Sequence, residues 1–234
     1  MNKLFFANSI KSILKKFKIG ITSYDNLIFP HHTKEFIHKQ ILQSSSGVLH
    51  VGAHFGEERD FYHQLKLNVF WVEAVPEFFK KLKYNISTYP DQIAENYLLG
   101  NRDKKIVKFY LANNEGSSSS VFKLTKDNGF QGLEMNGTIE IEMRRLDKVL
   151  KPNQVDSYSN WIIDAQGAEL DVLKGAGKLL DQVSSIMVEV STREIYKGGT
   201  NYLELKEFLR EFNFIPIWEP KNNSHEDVLF IRTA

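Results

Sequence analysis

The sequence feature that most constrains the fold is a short apolar run that breaks into two glycines four residues apart. Residues 48–51 are followed by Gly52 and Gly56, and a second apolar run ends at Glu73. This order predicts a strand, a tight turn and a helix, followed by a second strand. Gly52 permits the backbone angles of the turn, and Gly56 lets the next helix pack close to the strand. The segment therefore predicts an α/β sheet whose first turn leaves room for a ligand.

The same segment indicates the class of ligand. The helix N-terminus directs free amides at the turn, and Glu73 can accept hydrogen bonds from two ribose hydroxyls. His54 occupies a glycine position of the dinucleotide fingerprint, which disfavours a pyrophosphate. The turn matches the acid-x-G-x-G-x-G pattern of S-adenosylmethionine enzymes at Gly52 and Gly56 and departs from it at His50 and His54. These residues indicate a nucleoside site, with a purely structural turn as the alternative.

Composition excludes several classes of protein. The chain has 234 residues, 25% charged and 42% hydrophobic, which fits one globular domain better than two. A net charge of +1 gives no global attraction to nucleic acid. Because there is no cysteine, disulfides, cysteine-ligated metals and a thiol nucleophile are excluded, and a cytoplasmic location is expected. No apolar run approaches the length needed to span a bilayer.

The N-terminal segment differs from the rest of the chain. Residues 1–18 contain five lysines and no acid, with apolar residues at helical spacing. The favoured interpretation is a helix docked on its own domain. A helix that binds a partner protein or the inner face of the membrane is the alternative. A second helix is expected over residues 33–43, so residues 1–46 are interpreted as an N-terminal helical extension and residues 47–234 as the main domain.

A second strand-turn-helix unit begins near residue 160. Residues 160–163 are apolar, Asp164 and Gly167 follow, and a helix is expected through Gly175. Two such units place Asp164 and His54 at the carboxyl edge of adjacent strands, where open α/β sheets bind ligands. A helix cap is an equally good interpretation of Asp164.

The remaining strands are less distinctive. They are expected over residues 93–99, 104–111, 140–144 and 183–190, and the last of these ends with a charged residue, Glu189, where burial makes a charge unexpected. The final two strands, residues 214–218 and 228–232, are joined by a short connection and are expected to pair antiparallel. The Gly/Ser-rich segment 113–120 is either a connector or a lid over the site.

The order of these motifs resembles the FkbM-like S-adenosylmethionine-dependent methyltransferases over most of residues 47–231. The most specific block is residues 164–170 with 172–175. The other matching blocks are residues 51–57, 72–76, 99–101 and 146–147. The family usually has Asp at the position of His50 and Asn at that of His54, and many relatives have Glu at that of Gln166.

The resemblance implies an α/β, Rossmann-like class I methyltransferase fold: a seven-stranded, mostly parallel sheet with an antiparallel last strand and helices on both faces. It implies S-adenosyl-L-methionine as cofactor and a hydroxyl of a small molecule or glycan as acceptor, with no nucleic-acid partner. The cofactor-binding residues that it implies are Gly52, Ala53, His54, Gly56, Glu57, Glu73, Ala74, Gly100, Asn101, Asp164 and Gln166.

Methyl transfer to an alcohol requires removal of a proton by a general base or assistance from a bound cation. Asp164 is the first candidate, as a base or as an oxygen ligand of a divalent cation such as Mg²⁺. His54 is the second candidate base and Glu189 the third. Two other functions remain open: a nicotinamide-dependent oxidoreductase, and a non-catalytic nucleoside-binding protein of a glycan biosynthesis assembly.

Overall fold

The computed structural model describes residues 31–233, and the helix predicted within residues 1–18 lies outside this range. The strands are β1 (Gly47–Val51), β2 (Asn68–Glu73), β3 (Gln92–Asn96), β4 (Leu98–Leu99), β5 (Lys105–Ala112), β6 (Met135–Arg144), β7 (Asn160–Ile163), β8 (Ser185–Ser191), β9 (Phe214–Pro216) and β10 (His225–Arg232). The helices are α1 (His31–Gln43), α2 (Arg59–Gln64), α3 (Pro76–Asn85), α4 (Leu146–Val149), α5 (Pro152–Val155), α6 (Glu169–Ala176) and α7 (Tyr202–Glu211). Short 3₁₀ helices cover Asp156–Tyr158 and Gly177–Gln182.

Seven of these strands form one sheet in the order β3-β2-β1-β7-β8-β10-β9. The pairs among β3, β2, β1, β7 and β8 are parallel, whereas β10 runs antiparallel to both β8 and β9. Phe230 pairs with Pro216 and Arg232 with Phe214, which confirms the antiparallel closing pair. The sheet confirms the α/β class I architecture.

Alternating side chains of β1 enter two different hydrophobic clusters. Leu49 packs in a cluster with side chains of α6 and α7, and Val48 packs in a cluster with side chains of α2 and α3. Successive strand residues point to opposite faces of a sheet, so helices cover both faces. β1 and β2 are nearly continuous apolar runs because they are buried on both sides.

α1 belongs to the same core. Its residues Ile37 and Ile41 pack in the cluster of Leu49, and Leu42 packs in the cluster of Val48. The division of the chain at residue 46 stays a prediction, but this part of the predicted extension is packed on the sheet. Within residues 31–233, no helix combines the length and the apolar character that crossing a bilayer requires.

The single strand predicted over residues 93–99 was wrong. The chain leaves the large sheet after β3, and β4 pairs with β6 in a separate sheet of order β4-β6-β5. Tyr97 N–H still donates to the carbonyl of Glu73 (3.1 Å), and the next two residues turn toward β6. The sequence pattern of residues 93–99 does not show that the segment changes its pairing strand, because apolar spacing indicates an extended segment and not the strand with which it pairs. The strand predicted over 140–144 is also longer, beginning at Met135.

Candidate functional site

The turn after β1 is in backbone contact with the end of β7. Gly52 has φ +82°, and a Cβ atom placed on it would lie 1.7 Å from the carbonyl oxygen of Asp164. The N–H groups of Gly52 and Ala53 both donate to the carbonyl of Val72 (3.0 and 3.1 Å). Only glycine combines this conformation with this approach. The turn therefore brings the ends of β1, β2 and β7 together.

The second glycine of the motif has a different packing partner from the one expected. Gly56 has φ +70°, and a Cβ atom on it would lie 2.6 Å from Leu82 Cδ1. Leu82 belongs to α3, so Gly56 permits close packing of α3 and not of the immediately following helix α2.

Glu73 lies at the carboxyl end of β2 and is buried. Its Oε2 accepts a hydrogen bond from His54 N–H (2.8 Å), and its Oε1 accepts one from Val75 N–H (2.7 Å). Burial raises the pKa of Glu73 to about 7, although these backbone donors favour the charged form. A carboxylate has about four acceptor positions, so two remain for a ligand. The predicted ribose acid is therefore fixed in place with acceptor capacity left.

A cavity of about 300 Å³ opens in front of these strand ends, and we call it the β1–β2 cavity. The predicted cofactor residues that line it are Gly52, Ala53, His54, Glu57, Glu73, Ala74, Asp164 and Gln166. The other predicted cofactor residues, Gly56, Gly100 and Asn101, lie outside the lining. Asn101 donates from Nδ2 to Asp171 Oδ1 (2.7 Å).

The apolar wall of the β1–β2 cavity was missed from the sequence. It includes Val75, Phe78, Phe109, Tyr97, Leu98 and Leu99. Phe109 comes from β5 of the small sheet, so the wall exists only after the two sheets have packed. The apolar spacing of β4 was visible in the sequence, but its partner was not. Together with Glu73, this wall gives the cavity an apolar side and a hydrogen-bonding side, as expected of a nucleoside site.

Both ring nitrogens of His54 take part in hydrogen bonds. Nδ1 lies 3.0 Å from Glu57 Oε1, and Nε2 lies 3.1 Å from the carbonyl oxygen of Glu115. The ring also contacts Phe55 and Phe78, with centroid distances of 3.7 and 5.1 Å. His54 thus joins the β1 turn to segment 113–120. This arrangement leaves neither nitrogen free to take a proton from a substrate.

His50 is a buried, neutral side chain in the cavity lining. Its Nδ1 lies 3.1 Å from Tyr62 Oη, and its ring stacks on Trp71 at a centroid distance of 4.8 Å. Burial lowers the pKa of His50 to about 4. The cavity therefore presents an uncharged imidazole where members of the resembled family usually have Asp.

Segment 113–120 lies against the β1–β2 cavity. Gly116, Ser117 and Ser119 line it, and a Cβ atom on Gly116 would lie 2.1 Å from Phe78 Cζ. Ser120 Oγ donates to the carbonyl of Gln166 (2.6 Å). The segment therefore forms part of the wall, as a lid would, and its movement stays a prediction.

Three carboxyl groups gather at the ends of β7 and β8. Ligand atoms of Asp164, Glu169 and Glu189 lie within 4.8 Å of one another. Gln166 Nε2 donates to Asp164 Oδ1 (2.5 Å) and to Glu189 Oε2 (2.7 Å), and Tyr196 Oη donates to Gln166 Oε1 (2.5 Å). One amide therefore connects two carboxyl groups and a phenol, and Gln166 holds this position with φ +50°.

Within the Asp164–Glu189 pair, the pKa shifts favour the charge on Glu189. Burial and the neighbouring Glu189 raise the pKa of Asp164 well above its ordinary value. Burial also disfavours the charged form of Glu189, but hydrogen bonds from His225 and Gln166 outweigh it and lower the pKa of Glu189. His225 Nε2 lies 3.0 Å from Glu189 Oε1. Asp164 therefore holds the proton of the pair.

Asp164 is not the cap of α6, because the residue before this helix is Ala168 and no side chain caps it, whereas Glu169 holds the turn that precedes the helix. Glu169 Oε1 accepts hydrogen bonds from Ala165 N–H (3.1 Å) and Gly167 N–H (2.8 Å), and burial raises the pKa of Glu169 to about 7. Neither His225 nor Tyr196 was predicted from the sequence as a site residue. Both reach the cluster only through the pairing of β10 with β8 and the return of the chain after β8.

A divalent cation at Asp164 does not fit these donors as arranged. The Gln166 amide lies between Asp164 and Glu189 and donates to both, and Glu169 accepts backbone N–H groups. Mg²⁺ needs carboxylate oxygens that converge on a near-octahedral site. The carboxyl groups of this cluster are therefore assigned roles that do not involve a cation.

Comparison with known proteins identifies the family. The FkbM methyltransferase domain matches residues 50–216, and the chain belongs to this family. It is 24% identical over 192 residues to the 2-O-methyltransferase NoeI of Sinorhizobium fredii (strain NBRC 101917 / NGR234), across 76% of this chain and 79% of that protein.

Solved methyltransferase structures also match. Magnesium protoporphyrin IX methyltransferase (ChlM) from Synechocystis PCC 6803 with bound SAH aligns with TM-score 0.46 and 7% identity, across 98% of this chain and 94% of that chain. An rRNA methylase from Streptococcus thermophilus aligns with TM-score 0.47 and 12% identity, across 89% of this chain and 100% of that chain.

Family membership makes the chain an S-adenosylmethionine-dependent methyltransferase, which confirms the predicted family, enzyme class and cofactor. The nicotinamide-dependent and non-catalytic alternatives are thereby set aside.

Proposed function

We propose that this methyltransferase acts on a hydroxyl oxygen of a glycan or of a small molecule that carries sugar-like hydroxyls. The observation that supports an oxygen acceptor is the Glu189 carboxyl group, which accepts a hydrogen bond from Gln166 at the edge of the β1–β2 cavity. The relative NoeI is a 2-O-methyltransferase, which agrees with an oxygen acceptor. We further propose a cytoplasmic reaction without a nucleic-acid partner, and contact of residues 1–18 with a membrane or partner protein stays a prediction.

The cofactor would occupy the β1–β2 cavity. Glu73 would accept hydrogen bonds from the ribose hydroxyls, and the apolar wall of Tyr97, Leu98 and Leu99 would hold the base. Gly52 would keep the β1 turn, which lines the cavity, tight against the end of β7, because any side chain there would collide with the backbone of Asp164. This assignment places the cofactor methyl group toward Asp164 and Gln166, at the edge of β7.

The bound cofactor supplies an electrophilic methyl group on a sulfonium. In the transfer, its sulfur–carbon bond breaks with the electron pair left on sulfur, and a carbon–oxygen bond forms to the acceptor. The acceptor hydroxyl loses its proton, which we assign to the Glu189 carboxylate. The sequence favours Asp164 for this role, whereas the ionisation of the pair favours Glu189, since a protonated Asp164 cannot accept a proton. Catalysis then depends mainly on positioning the two reactants.

The direct test is transfer of a labelled methyl group from S-adenosylmethionine into glycans extracted from bacteria. Wild-type protein should label a glycan fraction, and Glu189→Gln should not. Glu140→Gln is the matched control, because Glu140 is an exposed acid on strand β6 that lies outside both the β1–β2 cavity and the acid cluster. Label found only in molecules without sugar-like hydroxyls, or equal labelling by Glu189→Gln, would contradict the proposal. Adding Mg²⁺ or a chelator should leave the rate unchanged if the base acts without a cation.

A further inference from the structure

A second cavity lies beyond the acid cluster, at the carboxyl end of β8. It measures about 360 Å³, and we call it the β8-end cavity. Its lining includes Glu169, Glu189, Arg193, Tyr196, Thr200 and His225. Glu189 and Tyr196 both hydrogen bond Gln166, which lines the β1–β2 cavity. The side chain of Gln166 therefore connects the wall of one cavity to the wall of the other.

The wall of the β8-end cavity contains two polar atoms without partners. Arg193 Nε and His225 Nδ1 are buried and form no hydrogen bond within the described part of the chain. A buried donor or acceptor without a partner destabilises the folded state, because its hydrogen bonds to water are lost and not replaced. Native proteins retain few such atoms, and a missing ligand is one explanation for them. Their presence in one cavity indicates a ligand that offers hydrogen-bonding groups.

An exposed aromatic ring lies beside the same two residues. Phe130 is 41% exposed, and its ring lies 5.5 Å from Arg193 Cζ and 5.9 Å from the centroid of His225. A single exposed apolar side chain is ordinary on a protein surface. What distinguishes Phe130 is that its neighbours are the two residues with unpartnered polar atoms. The combination gives a flat apolar surface next to unused donors and acceptors.

The segment that carries Phe130 is fixed to the cavity wall. Asn128 Oδ1 accepts a hydrogen bond from Phe130 N–H (2.9 Å). Thr125 N–H donates to the carbonyl of Ile195 (2.8 Å), close to Arg193 in the chain. Gly129 has φ +81°, and a Cβ atom on it would lie 2.1 Å from Arg193 Nη1. The ring is therefore held in place by backbone contacts, as a binding surface requires.

From this geometry we infer that the β8-end cavity binds the acceptor and that the acceptor is a sugar ring. The apolar C–H face of the ring stacks on Phe130, and its hydroxyls hydrogen bond the Arg193 and His225 side chains. One hydroxyl then reaches Glu189, and its oxygen faces the cofactor methyl group at Gln166. The inference rests on the proposed function and names the acceptor class and the residues that recognise it. The acceptor is thus recognised by Phe130, Arg193 and His225, which do not contact the cofactor.

The experiment is saturation-transfer NMR on the full chain with S-adenosylhomocysteine present. The probes are glucose, galactose, mannose, fucose and rhamnose, with glycerol as a hydroxylated probe that has no ring. Saturation should appear on ring C–H protons of at least one sugar and not on glycerol. Phe130→Ala should weaken that binding by roughly twofold to tenfold, because it removes the aromatic surface on which the sugar stacks. Arg193→Gln should weaken it as well.

Phe36→Ala is the matched control, since Phe36 is an exposed phenylalanine on α1, and it should bind like wild type. Thermal melting verifies that each variant is folded. Equal sugar binding by wild type and Phe130→Ala, or no saturation of any sugar, would overturn the inference. Calorimetry with S-adenosylhomocysteine separates the two proposals. If wild-type protein does not bind S-adenosylhomocysteine, the proposed function is contradicted. If it binds this ligand and Phe130→Ala binds sugar as well as wild type does, only the acceptor-site inference is contradicted.

Discussion

The two ends of the ligand-binding edge are built in different ways. At β1 and β2, Gly52 and Glu73 lie 21 residues apart in the sequence. Gly52 packs against the backbone of Asp164, and the Glu73 carboxyl group is held by two backbone N–H groups. At β7 and β8, the cluster combines Asp164, Gln166, Glu189 and His225 with Tyr196, and side-chain contacts join them. The first end is a local motif and the second is a product of tertiary structure.

This difference has a physical consequence. A site made from backbone turns tolerates few substitutions at its glycines, because the clash is with main-chain atoms. A site made from interacting side chains is sensitive to charge, because its carboxyl groups share a proton and set each other's pKa values. We therefore expect glycine substitutions in the β1 turn to reduce stability, loss of Glu73 at the end of β2 to reduce cofactor binding, and substitutions at β7 and β8 to reduce turnover.

The largest expected effect is that of Gly52→Ala on stability. The added methyl group would lie 1.7 Å from a carbonyl oxygen, at φ +82°. Strain at this angle and the overlap together should cost roughly 3–5 kcal/mol of unfolding free energy. Gly132→Ala is the control, because Gly132 has φ +75° and no atom within 4 Å of an added Cβ. Denaturant unfolding in which the two variants lose equal stability would show that the contact with β7 is not tight.

The next effect concerns the acid cluster. Glu189→Gln should lower turnover by roughly 10²-fold or more, with cofactor affinity within a few fold of wild type. Asp164→Asn should cost less, since a neutral amide replaces a carboxyl group that already holds its proton. Single-turnover rates on a labelled acceptor measure both. A larger loss for Asp164→Asn than for Glu189→Gln would move the base to Asp164, as the sequence favoured.

A smaller effect is expected from the ionisation of Glu73. Its pKa is about 7 in the folded state and 4.5 when unperturbed, so folding favours the protonated form. The carboxyl group should therefore destabilise the ligand-free fold progressively as pH rises from 4.5 to 7, with no further change above pH 7. Relative to wild type, Glu73→Gln should gain roughly 2–3 kcal/mol across this window. A stability difference independent of pH would contradict the buried, raised-pKa carboxyl.

Much of the fold could be predicted because its signals are local. The strand ends at Gly52 and Asp164 and the closing pair at residues 214–232 follow from apolar runs, glycines and short connections. The exception is the run 93–99, which divides between two sheets. Sequence periodicity reports that a segment is buried and extended, but not which strand it pairs with.

The site could be predicted more completely at one end than at the other. Glu73 was recognisable by its distance from the glycine turn and its place at a strand end. At the other end Asp164 was recognisable as an acid after a buried strand, but His225, Tyr196 and Phe130 were not, since each reaches the β8-end cavity or its edge from a distant segment. A further sequence signal was Glu189, a charge at the end of a buried strand. It indicated that a partner must exist without indicating which residue it is.

The central claim is that Glu73 holds the cofactor ribose in the β1–β2 cavity, and calorimetric titration with S-adenosylhomocysteine tests it most directly. Wild type should bind this ligand and should not bind NAD. Loss of two charge-assisted hydrogen bonds in Glu73→Ala should cost roughly 2–4 kcal/mol of binding free energy. Glu95→Ala, an exposed acid on the neighbouring strand β3, is the control and should bind like wild type. Equal affinity of wild type and Glu73→Ala for S-adenosylhomocysteine would contradict the claim.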